Sequence, residues 1–231
     1  RVFSHRWHIT IKKCMELVHL GWPISIQVGG ELLCMTMAAY LLGLFGVAAL
    51  AAAQITGQFV LVFIMMSMGL SSAVAILVSQ AHGAQDVQSV RHTMSAGLLL
   101  NACVALVFIL CFLVFPTRLV DWYLNIHQPT HSLLVDYAVD FMLVAAVYLT
   151  FDGVRNVLTS TLRGLQDPKV PMKIGLGCLW LVGLPVAAFC GLVFPGGPVW
   201  LRIGFISGVI VGTIWLVLRY RATIQRDRAS L

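Results

Sequence analysis

The stretch VAALAAAQITGQFVLVFIMMSMGLSSAVAILVS, residues 47–79, contains no Asp, Glu, Lys or Arg. It exceeds the roughly 20 predominantly apolar residues that a helix needs to cross a bilayer. It opens on the small run Ala48, Ala49, Ala51, Ala52 and Ala53 and carries Gln54 and Gln58 one turn apart. Small residues in lipid let helices approach closely. Working outward, five further stretches of similar character fall at residues 17–42, 93–115, 133–161, 170–193 and 198–220. The 231-residue chain is 59% hydrophobic and 10% charged, with a mean hydropathy of +0.91, whereas a soluble domain carries about a quarter charged residues. The expected fold is an all-α integral membrane protein whose six transmembrane helices form one bundle. Residues 17–220 make up that bundle, flanked by a basic connection at 1–16 and a basic tail at 221–231. Little chain remains for a soluble catalytic domain, and the reading is not an enzyme.

The net charge of +6 does not point to nucleic acid, because the basic residues fall between apolar stretches and act as topology signals. Arg1, Arg6, Lys12, Lys13, Arg91, Arg163, Lys169, Lys173, Arg219, Arg221, Arg226 and Arg228 collect on the side of the termini, against Arg118 and Arg202 on the other. Both termini are therefore expected in the cytoplasm. Arg155 is the one basic residue left inside a span.

Several residues are costly in lipid. Glu31 sits near the middle of the first stretch, where insertion scales assign a charged side chain about 2.5–3.5 kcal/mol. Gln27 precedes it by one turn, and Tyr148, Asp152 and Asn156 follow one another at helical spacing on one face. Polar stripes in a membrane face a bundle interior or a wet cavity. Gln27, Gln54, Gln58 and Asn101 read as interhelical glue, whereas Glu31 and Asp152 read as functional, because a buried carboxylate must be neutralised by a proton, a cation or a partner charge. Arg155, three residues after Asp152, either pairs with it or extends toward the cytoplasmic headgroups. Other chemistry finds no support. The six cysteines contain no CxxC and read as reduced packing residues, and His127 and His131, separated by Pro129, read as a surface loop within a longer connection at 116–131. The first span is expected to be interrupted near its start by Gly21 and Pro23 and near its centre by Gly29, Gly30 and Glu31, and bending is expected at Gly29 and Gly30 and, in the fifth span, at Gly183 and Pro185.

The set Leu20, Gly21, Trp22 and Pro23 with Glu31, then GVAALAAAQ at 46–54, VSQAHGAQD at 78–86, VYLTFD at 147–152, STLRGLQD at 160–167, and Pro171, Trp180, Gly183 and Pro185 resembles, in order and spacing, the second half of MATE-family multidrug exporters of the NorM type. The resemblance implies a twelve-helix transporter of two six-helix lobes. This chain would be the C-terminal lobe and the N-terminal lobe of the same polypeptide its partner, which fits a sequence that begins at Arg1 without Met. It implies residence in the plasma membrane, the inner membrane of a bacterium. It also implies a cation site at the positions of Glu31, Asp152 and Tyr148, and export of small organic cations or drugs. Arg155 departs from the residue expected at that place, and a fixed cation beside the site competes with sodium.

The expectation is a secondary antiporter with no cofactor, in which Glu31, Asp152 and Tyr148 hold a coupling sodium or proton. Gln27, Asn156, Arg155 and Gln54 line the cavity or couple it. The alternatives are a self-contained six-helix homodimeric channel or lipid flippase, and a structural subunit in which the polar residues only join helices.

Overall fold

A computed structural model describes residues 11–123, 132–195 and 197–229. His127 and His131 lie outside them. Eight α-helices carry these residues: α1 (Ile11–Gly43), α2 (Val47–Gly83), α3 (Val87–Val114), the short α4 (Pro116–Asp121), α5 (Ser132–Gly164), α6 (Lys169–Cys178), α7 (Leu184–Val193) and α8 (Gly197–Ala229). A π-helical turn, Leu179–Gly183, joins α6 to α7. Six segments are long and apolar enough to span a membrane: Gly21–Gly43, Val47–Gly83, Val87–Val114, Leu133–Gly164, Lys169–Val193 and Gly197–Ala222.

The ends of these helices follow from local chemistry. The link from α1 to α2 turns at Gly46, whose φ of 100° lies where a side chain would be strained. The connection between α2 and α3 is short, because α2 runs to Gly83 and α3 begins at Val87. Asp86 caps α3, accepting from the Ser89 amide at 3.0 Å and the Ser89 hydroxyl at 2.6 Å. These hydrogen bonds hold its carboxyl below the usual range. The sequences HGAQD (82–86) and RGLQD (163–167) end α2 and α5 in the same way. The Asp86 amide donates to Ala81 O at 3.0 Å and the Asp167 amide to Leu162 O at 3.1 Å. Gln85 and Gln166 take φ values of 57° and 61°, the left-handed conformation that glycine usually fills after a helix.

α5 packs against α2, α3 and α8 and so forms the centre of the bundle. Its Phe141, Met142 and Leu149 are fully buried, together with Phe63 of α2 and Phe112 of α3. On the other flank, α8 lies against the π turn and α7 at backbone distance. A Cβ on Gly204 would stand 2.6 Å from Ala187 Cα, and one on Gly208 2.6 Å from Gly183 Cα, so small residues permit the contact. Outward faces remain apolar, with Leu32, Leu99, Leu181 and Phe189 all more than half exposed.

Two expectations are corrected. The first span is not interrupted: α1 is one continuous helix through Pro23, Gly29 and Gly30. Gly30 is where α1 meets α6, since a Cβ there would collide with the Leu176 side chain. Its carbonyl also accepts from Trp180 Nε1 at 3.1 Å. Gly30 supplies a close approach between the two helices. The connection after the third span is not wholly loop, because Pro116 at the first turn of α4 starts a helix. The chain after residue 220 continues α8 to Ala229. The expected break at Gly183 and Pro185 is present as the π turn: proline has no amide to donate, and the ladder widens ahead of it.

Candidate functional site

α1 and α5 bring Gln27, Glu31, Asp152, Arg155 and Asn156 into one network, with Arg155 at its centre. Arg155 Nη1 stands 2.8 Å from Glu31 Oε1, and its Nη2 stands 2.9 Å from Asp152 Oδ1. Arg155 Nε donates to the same Asp152 oxygen at 3.2 Å, and Nη2 reaches Glu31 Oε2 at 3.5 Å. One guanidinium thus joins two carboxylates that are 121 residues apart in sequence (152 − 31). Of the two alternatives read from sequence for Arg155, the pairing with Asp152 is present and the extension toward the headgroups is not, and Arg155 pairs with Glu31 as well.

Two side-chain amides add to these contacts. Gln27 Nε2 donates to Glu31 Oε1 at 3.0 Å, and Asn156 Nδ2 donates to Asp152 Oδ2 at 2.9 Å. The chain of bonds continues at both ends. Arg163 Nη2 donates to Gln27 Oε1 at 2.9 Å. Asn156 Nδ2 reaches Ser67 Oγ at 3.3 Å, and Asn101 Nδ2 donates to Ser67 Oγ at 2.9 Å and to Gly153 O at 3.2 Å. Asn101 is therefore the interhelical tie expected of it. Two acids stand with two guanidinium groups, so the cluster is formally neutral. That balance offsets the large cost of desolvating each charge.

Tyr148 is buried one turn before Asp152, between the ionic cluster and a cavity of about 350 Å³. This cavity lies among α1, α2, α5 and α8, and Gln54 lines it with Gln58, away from the carboxylates. Sequence reasoning missed four contributors. Arg163 counted as a topology charge, although it sits two turns from Arg155 on the same face. Ser67 gave no signal in an apolar run. Gly175 of α6 closes over the cluster: a Cβ there would lie 3.4 Å from Gln27 Nε2 and 3.6 Å from Glu31 Oε1, in ordinary van der Waals contact. Arg202, also counted as a topology charge, turns into the bundle and lines the cavity.

Six membrane-spanning helices joined by a buried ionic network define a multi-pass membrane protein with a polar site inside its bundle. The MatE family model matches residues 23–189, and the chain belongs to that family. It is 30% identical over 93% of its length to a protein of Deinococcus radiodurans named probable multidrug resistance protein NorM, covering 48% of that protein. It is 32% identical over 92% of its length to the Synechococcus protein of the same name, covering 46% of it. The chain spans about half the length of the curated relatives it matches. Among solved structures, the Vibrio cholerae MATE transporter VcmN in the bent form superposes with a TM-score of 0.84 at 19% identity, over 98% of this chain and 50% of that one. A MATE structure in complex with MaL6 superposes with a TM-score of 0.87 at 12% identity, over 96% and 49%. These likenesses establish the fold as one lobe of that architecture.

Proposed function

We propose that this chain is the C-terminal lobe of a secondary antiporter that exports organic cations or drugs across the plasma membrane, and that Glu31 and Asp152 carry the coupling ion. The N-terminal lobe of the same polypeptide would be its partner, and both termini of this lobe would face the cytoplasm. The observation that carries the reading is the double ion pair: Arg155 holds both buried carboxylates at 2.8 and 2.9 Å. Such an arrangement stores two competing contacts for one guanidinium. When one carboxyl is neutralised, Arg155 has a single full-strength partner left, and α1 and α5 lose part of what joins them.

The coupling ion proposed is the proton. A sodium ion needs several oxygen ligands arranged around it, whereas Arg155, Gln27 and Asn156 already aim N–H donors at the oxygens of both Glu31 and Asp152. A proton needs one lone pair. Tyr148 then orders the wall between cluster and cavity rather than ligating a metal ion. The alternative of a self-contained homodimeric channel or flippase is less favoured, because the relatives that span this chain are multidrug resistance proteins twice its length.

The test uses the full-length gene product in liposomes loaded with an organic cation dye. An imposed pH gradient should drive dye movement and a sodium gradient should not. Glu31→Gln should abolish the gradient-driven movement while membrane insertion is retained, and wild-type transport in that variant would overturn the assignment. Arg155→Gln, which frees carboxylate oxygens, should gain a response to sodium.

A further inference from the structure

The cavity bounded by α1, α2, α5 and α8 holds a charge that the coupling reading does not use. Arg202 enters it from α8, with its guanidinium carbon 4.4 Å from the centroid of the fully buried Phe141 ring. Nη2 donates to Ala53 O at 3.2 Å. A guanidinium carries five N–H donors and no acceptor, and this carbonyl and ring face occupy only part of that capacity. No carboxylate among the described residues forms an ion pair with it, and the cavity lining includes no Asp or Glu. Its polar companions there are Gln54, Gln58 and Tyr148, amid otherwise apolar side chains.

An arginine serving only as an interfacial anchor would send its head out to lipid phosphates. Arg202 instead turns inward, over a buried ring, at the wall of a cavity of about 350 Å³. A desolvated guanidinium with spare donors recognises planar oxyanions, most of all a carboxylate, through paired hydrogen bonds. Pockets of this size and polarity suit a small apolar body oriented by few polar groups. We infer that this cavity binds an amphipathic small molecule by its carboxylate, with Arg202 as the anion-binding residue and Gln54 and Gln58 as flanking donors. A cationic headgroup is disfavoured in this cavity, so recognition of organic cations would fall elsewhere in the transporter. The inference stands apart from the coupling reading, because binding is measured with no ion gradient.

The experiment is calorimetric titration of the full-length gene product, in an uncharged detergent at neutral pH, with three probes of one shape: 2-naphthoate, 2-naphthylmethanol and 2-naphthylmethylammonium. The naphthoate should bind at least about ten-fold more tightly than the alcohol, and the ammonium more weakly than either. Arg202→Gln should bring naphthoate and alcohol within about two-fold of each other. Equal binding of all three by the wild type, or an unchanged preference in Arg202→Gln, would overturn the proposal. If Arg202→Gln fails to fold, Gly57→Leu decides. A Cβ on Gly57 would meet nothing within 4 Å and the residue lines the cavity, so leucine fills the space with Arg202 intact. It should weaken naphthoate at least about ten-fold, and undiminished binding would reject the site. Once the preference is measured, mass spectrometry of wild type drawn from membranes separates the sources: a retained fatty acid that Arg202→Gln lacks assigns the carboxylate to the bilayer, and none assigns it to the aqueous phase.

Discussion

Asp152 and Glu31 share a guanidinium but not an environment, since their side chains are 1% and 20% exposed. Removing one partner from a fully buried pair costs about 3–5 kcal/mol, while water at the more open acid screens the loss. Asp152→Ala should therefore lower the unfolding midpoint in detergent clearly more than Glu31→Ala. Equal shifts would mean that the two acids are equally solvated. At this scale the sequence was partly legible. Glu31 and Asp152 stood out because charge is rare within a span, and the 148–152–156 stripe followed from helical periodicity. Arg163 lay on the same stripe as Arg155, but its position near a helix end made it look like a loop charge. The pairing of Arg155 with Glu31, 124 residues away, was out of reach because no local period links α1 to α5. The approach of Gly175 was hidden for a related reason, as α6 lies over the cluster only in the folded lobe.

The helices themselves were readable because uncharged runs longer than a bilayer is thick have few other uses. Their ends were less so. Gln85 and Gln166 sit in left-handed geometry after α2 and α5, where a side chain costs roughly 1–2 kcal/mol. Gln85→Gly and Gln166→Gly should each stabilise by about 0.5–1 kcal/mol, after allowing for the greater freedom of glycine in the unfolded chain, read as a rise in melting temperature. A fall would show that the glutamine side chains contribute contacts of their own. Asp86 gives an acid-side signature. Its carboxyl titrates below the ordinary range because Ser89 donates to the ionised form. The cap therefore stabilises α3 above the ordinary carboxylate range, and the contribution disappears as pH falls through the lowered value. Asp86→Asn should melt earlier at neutral pH and lose less on acidification than wild type. The apparent interruption at Gly29 and Gly30 misled for a physical reason: glycine marks either an interruption or a close approach, and at Gly30 only the neighbouring helix shows which.

For the molecule as a whole, the distribution of Lys and Arg is the strongest global signal, because it depends on sums over connections rather than on any one contact. With thiols introduced one at a time, Gln88→Cys should react with an impermeant maleimide only from the cytoplasmic face and Thr117→Cys only from the opposite face. Both positions are exposed, near opposite ends of α3, and labelling in the reverse sense would invert the topology. The formal neutrality of the ionic cluster, two acids against Arg155 and Arg163, has an electrical consequence. Across a membrane potential, moving one elementary charge is worth about 2.3 kcal/mol per 100 mV. If the cluster carries the coupling proton as proposed, the unloaded cluster of zero net charge reorients with almost no electrical work, whereas the same cluster holding one proton carries +1. Voltage would then act on the loaded half of the cycle alone, and the arginine that competes with the ion would also let the empty transporter return at no electrical cost.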